Sequence, residues 1–208
     1  MKTQNSHLQD IIYIGLFAAL IAVCSQIQIP SAVPFTLQTF AVFLCTGLLG
    51  GKRGTISVLV YILLGIVGLP VFAGFKGGIG SLLGLTGGYI IGFVFTALIM
   101  WGCEKMHALK QDAQRKSSDD TASESQGADI RKKTANMPTL FLALSMLLGL
   151  IACYAFGTAW FVIVYSNTKE PIGILSALMW CVFPFILPDI IKIALAVLLT
   201  QRLKRFVI

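Results

Sequence analysis

"FPFILPDIIKIALAVLL", Phe183–Leu199, is apolar almost throughout, yet Asp189 and Lys192 stand inside it three residues apart, just behind Pro184 and Pro188. The apolar block around it, Ile172 to Leu203, is too long for one simple membrane span. Proline removes a backbone donor and clashes with the preceding helical turn, but it suits the first position of a helix. The block therefore divides. A short helix or re-entrant cap is predicted over Ile172–Cys181, irregular chain over Val182–Leu187, and a last helix starting at Pro188. From Pro188 to Arg205 such a helix is about 27 Å long at 1.5 Å per residue, enough to cross the hydrocarbon core. Asp189 and Lys192 then share one face of its first turn, where the positive end of the helix dipole favours the carboxylate.

Working outward, the whole chain has the same character. Of its 208 residues 56% are hydrophobic and only 12% charged, against roughly half apolar and a quarter charged in soluble domains. The apolar residues come in blocks, which predicts a single all-α integral membrane domain of six spans: 11–29, 35–50, 54–72, 83–103, 139–165 and 188–205. The N-terminal run from Ile11 has no clear small-residue cleavage site and reads as the first span, not a signal peptide.

Six spans put both termini on one side, and the basic residues choose the side. With the N-terminus cytoplasmic, thirteen lie inside: Lys2, Lys52 and Arg53, seven between Lys105 and Lys133, and Arg202, Lys204 and Arg205. Only Lys76 and Lys169 lie outside. The net charge of +7 is thus a topology signal; there is no interleaved basic and aromatic patch of the kind nucleic acid needs. The stretch 104–137 is polar, mixed in charge and poor in aromatics, which predicts a flexible cytoplasmic linker with a helical extension at its start.

The candidate chemistry is sparse. The five cysteines are scattered with no C-x-x-C pair, so they read as packing residues, and no metal site is expected. No catalytic motif of the H-E-x-x-H or G-x-S-x-G kind occurs. "GLLGGKRG", Gly47–Gly54, misses the phosphate-loop spacing. What remains is the ionisable pair, since an intramembrane charge is by default a functional-site hypothesis. Asp189 and Lys192 together are either an interfacial ion pair or a site for a mostly apolar molecule with an amide-like or carboxylate end. Three further stretches could serve the same outer end. "PFTLQT", Pro34–Thr39, offers Thr36, Gln38 and Thr39 as hydrogen-bonding groups. The glycine-rich Gly68–Phe93 provides a loop able to fold over a pocket. Gly15, Ala18 and Ala22 form a small-residue stripe on the first helix, suited to close approach of another helix, internal or foreign.

"IPSAVPFTLQTFAVFLCTGLLGGKRG", "LVYILLGIVGLPVFAG", "GGIGSLLGLTGGYIIGF" and "LPDIIKIALAVLL" together resemble BioY, the family of biotin-binding subunits of energy-coupling-factor (ECF) transporters. The resemblance covers nearly all the chain except Glu104–Met137, which is longer than the family pattern. It implies a non-catalytic, six-helix substrate-capture subunit of a bacterial plasma membrane, with biotin as transported substrate and no cofactor. The implied partners are a transmembrane coupling subunit and two cytoplasmic ATPases. The implied ligand residues are Asp189, Lys192, Gln38, Thr36, Gly87, Gly88 and Tyr89. Asp189 accepts from the ureido N–H groups, and Lys192 meets either the ureido oxygen or the carboxylate. The family's A-x-x-x-A stripe, which contacts the coupling subunit, matches Ala18 and Ala22. The competing expectation from the residues alone is a secondary transporter for another vitamin or small organic anion, with Asp189 as its proton site. A relay across the membrane, which such a carrier needs, is not evident in the sequence.

Overall fold

The computed structural model describes residues 2–30, 33–118 and 137–207. Most of the predicted linker 104–137, and Ser31 and Ala32, lie outside the described residues. In chain order the helices are α1 (Lys2–Gln26), α2 (Gln38–Leu49), α3 (Gly51–Ile66), α4 (Ile79–Leu83), α5 (Gly87–Ser118), α6 (Thr139–Thr168), α7 (Ile174–Cys181) and α8 (Phe183–Val207). Two-residue strands β1 (Gln28–Ile29) and β2 (Phe35–Thr36) pair antiparallel between α1 and α2, Gln28 opposite Thr36 and Ile29 opposite Phe35.

Among the described residues four helical stretches are long and apolar enough to cross a bilayer: His7–Gln26, Gly87–Gln114, Thr139–Thr168 and Phe183–Lys204. The remaining two of the predicted six blocks are shorter helices. α3 has 16 residues and α2 has 12, or about 24 and 18 Å. The segment 35–37 ahead of α2 is strand and bend rather than helix, because β2 is drawn into its pairing with β1. α2 is apolar all round and is buried along nearly its whole length, as expected for a helix enclosed by others. It packs against α1, α3, α5 and α8.

The break before the last helix is narrower than expected. α8 begins at Phe183, so Val182–Leu187 is not an irregular segment and Pro188 is not a first position; it lies inside the helix. The physical reason is positional. Pro184 falls in the first turn, where backbone N–H groups have no helical partner anyway. Pro188 forfeits one bond, to the carbonyl of residue 184, and a neighbouring helix bundle tolerates that loss. Asp189 therefore sits about 9 Å down the helix and Lys192 about 13 Å. The carboxylate is beyond the first turn, so the expected stabilisation by the helix dipole does not apply, since that effect falls off within a turn.

The glycine-rich loop between α3 and α4 is tied to the end of α1. Ser25 Oγ donates to the Val71 carbonyl at 2.6 Å. The Gln26 amide donates to the Phe72 carbonyl at 3.1 Å and accepts from the Phe75 N–H at 2.9 Å. Gly68, Gly74 and Gly78 take positive φ here, and so does Phe75.

At the opposite ends of these helices, the Glu104 carboxylate accepts the Gly51 N–H at 2.5 Å, capping α3. Arg53 and Asp10 pair at 3.0 Å between α3 and α1. All five cysteines are buried free thiols.

A buried charged cluster between three helices

The buried positions of α8 are Asp189, Lys192, Ile193, Ala196, Val197 and Thr200, a single stripe at helical spacing. Ile190, Ile191, Leu195 and Leu198 face outward. The pattern that made the sequence look uniformly greasy thus has an orientation: the charges belong to the inward face. The side chains of Asp189 and Lys192 are only 4% and 6% exposed. Ions that deep in a membrane protein must be paired and fully hydrogen-bonded, and these are.

Lys192 Nζ donates to Asp189 Oδ1 at 2.7 Å, to the Thr36 carbonyl at 2.6 Å and to Thr39 Oγ1 at 3.0 Å. An ammonium has three donors, and each has an acceptor. The same cation lies 3.9 Å from the centroid of the Phe35 ring, a favourable placement over an aromatic face. Phe35 in turn stacks on Phe185 of α8, with centroids 5.9 Å apart and planes within 15°. Asp189 is held from both sides. Oδ1 takes Lys192 and, at 3.4 Å, the Thr39 hydroxyl of α2. Oδ2 takes the Tyr154 hydroxyl of α6.

The structure thus gathers Asp189, Lys192, Thr36 and Thr39, although Thr36 contributes its carbonyl. Its hydroxyl accepts the Gln38 backbone N–H at 3.3 Å instead. The other expected ligand residues have partners elsewhere. The Gln38 amide donates to Tyr61 Oη at 2.7 Å in the core. Tyr89 shares a 3.0 Å hydrogen bond with Thr158. Gly87 and Gly88 are where two backbones meet closely: a Cβ would lie 1.6 Å from the Leu82 carbonyl oxygen at the first and 2.2 Å from Trp160 Cβ at the second. Those glycines serve packing of α4 and α6 against α5.

Ala18, expected to meet a partner subunit, lies inside the protein. It is 1% exposed and belongs to the chain's own core, so it is an internal contact rather than a surface for a partner. Ala22 packs partly against the same core. Ala18 turns inward because α1 lies along α3 and α2, whereas Gly15 of the same stripe is exposed.

Sequence reasoning missed Tyr154 and Phe35 as members of the cluster. The signal for Phe35 was its place in "PFTLQT". For Tyr154 it was a phenol in the middle of a long apolar span, where a buried hydroxyl needs a partner.

The family model described as "BioY family" matches residues 1–208. "Probable biotin transporter BioY" of Pyrococcus horikoshii is 35% identical over 198 residues, 94% of this chain and 96% of its own. "Biotin transporter BioY" of Thermotoga maritima is 52% identical over 94 residues, 45% of this chain and 56% of its own. Among solved structures, the S-component for biotin from an ECF-type ABC transporter aligns with a TM-score of 0.73 at 29% identity, over 97% of this chain and 93% of that one. A full-length family match and apolar membrane-crossing helices agree: the chain is an all-α, multi-pass integral protein of the plasma membrane and belongs to the BioY family.

Proposed function

We propose that the protein captures biotin at the Asp189–Lys192 cluster, as the substrate-binding subunit of an ECF-type transporter. The observation that carries this reading is the cluster itself: one anion and one cation, 2.7 Å apart and buried together on the inward face of α8. Biotin carries ureido N–H donors, a ureido carbonyl and a carboxylate on an otherwise apolar frame. Asp189 suits the N–H groups, and Lys192 suits either oxygen function. The names of the relatives and of the solved S-component point to the same ligand.

The ligand must displace a protein group, since every Lys192 donor has an acceptor. The Thr36 carbonyl is the acceptor that can leave most cheaply. It sits on a two-residue strand, whereas Asp189 and Thr39 are fixed on helices. In this proposal a ligand oxygen takes the place of that carbonyl. Phe35 and Phe185 border the apolar frame, and Gln38, Gly87, Gly88 and Tyr89 support the surrounding walls.

The topology belongs to the same proposal: six spans, with α2 and α3 as short ones, both termini and the 104–137 segment cytoplasmic. The coupling subunit and two ATPase subunits are separate chains, and this subunit performs no catalysis. Biotin titration of Asp189→Asn and Lys192→Ala tests the site. Each is expected to weaken binding about 10- to 100-fold, the value of a hydrogen bond to a charged group. Undiminished affinity in both folded variants would sink the assignment.

A further inference from the structure

We propose that Tyr154 is a positioning residue of the ligand site: it holds the Asp189 carboxylate in the orientation that receives a ligand N–H. The proposal rests on the biotin reading above. Its basis is how the two carboxylate oxygens are divided. Oδ1 is held by Lys192 of α8 and Thr39 of α2. Oδ2 is held by Tyr154 of α6, 35 residues away in sequence. The terminal torsion of an aspartate is broad and roughly two-fold, so bonds to one oxygen leave the carboxylate free to rock. A bond to the second oxygen, from a different helix, fixes its plane.

Tyr154 is suited to that task because its own ring is held. It packs partly against both core clusters, one centred on α1–α3 and one on α6 and α8. A clamped ring delivers its hydroxyl to one place. A carboxylate offers about four lone-pair directions. Tyr154, Lys192 and Thr39 occupy three, which leaves one, on Oδ2, for a ligand N–H. Pre-orientation of this kind raises affinity by removing the ordering that binding otherwise requires.

Tyr154→Phe keeps the ring and its packing and removes only the hydroxyl. Two measurements on the full chain in detergent decide the matter. In biotin titrations the variant is expected to bind about tenfold more weakly than wild type. In infrared spectra of the ligand-free protein, the Asp189 carboxylate band, identified as the band lost in Asp189→Asn, is expected to shift in Tyr154→Phe. Wild-type affinity in the variant overturns the proposal. So does weaker binding with an unmoved carboxylate band, because a packing role would give that result. If wild type itself ignores biotin, the ligand reading fails and this inference fails with it, an outcome separable from the other two.

Discussion

Replacing Lys192 by methionine isolates the energetics of the cluster from its ligand chemistry. Methionine roughly keeps the length and apolar stem of lysine and deletes the charge. Asp189, its side chain 4% exposed, then keeps the Tyr154 and Thr39 hydroxyls but loses its counter-ion. Thr36 keeps a carbonyl without its donor. Breaking a buried pair from one side costs about 3–5 kcal/mol, because a charge remains with nothing to compensate it. For a chain of this size about 1 kcal/mol moves the melting temperature by about 2–4 °C, so ligand-free Lys192→Met should melt roughly 6–20 °C below wild type. Adding Asp189→Asn removes the stranded charge while leaving an amide for Tyr154 and Thr39. That double variant should recover to within about 1–2 kcal/mol of wild type, since a buried pair replaced as a unit is often near neutral. Thermal unfolding in detergent, read by intrinsic fluorescence, provides the assay. A Lys192→Met variant that melts with wild type, or a double variant that melts below the single one, would show that the buried pair does not carry this energy.

Three further outcomes follow from the fold. Gln38→Leu removes one of two hydrogen-bond partners of Tyr61 Oη in the core, leaving Ser25, and should destabilise by about 1 kcal/mol, measured by thermal unfolding without ligand. Gly51→Ala places a Cβ 2.2 Å from Trp101 Cα, so it should loosen α3 against α5 and lower stability by about 1–3 kcal/mol; an unchanged melting temperature contradicts that packing. Arg53→Gln removes a 3.0 Å pair whose side chains are about a third exposed. It should cost less than about 1 kcal/mol, with the difference from wild type shrinking further in high salt.

Much of this was legible in the residues. Charge sparsity and apolar blocks gave the membrane class. Asp189 and Lys192 were the pair to follow because few other charges interrupt an apolar run, and the chain does bury them together. The start of α8 was misread because a proline rule was applied locally. Pro188 looks like a first position, but the helix had already begun at Phe183 and the bundle absorbs one lost bond. That displacement of five residues moves the charges more than a turn deeper and removes the dipole from the account.

Long-range partners were beyond pattern reasoning. Nothing local to Tyr154 says that it meets a residue 35 positions on. Nothing local to Thr36 says that its carbonyl, rather than its hydroxyl, meets Lys192. Gly87 and Gly88 show how little the residue type alone decides. Glycine permits both ligand approach and helix approach, and the positions of Leu82 and Trp160 reveal the helix approach. Ala18 fails similarly: a small residue marks a close contact without saying whose.

Biotin capture at the Asp189–Lys192 cluster is read most directly by native mass spectrometry of the wild-type protein, purified from cells grown with biotin. One retained biotin per chain is expected, absent from the Asp189→Asn/Lys192→Met double variant. Retention of a different vitamin, or of biotin by the double variant as readily as by wild type, would contradict it.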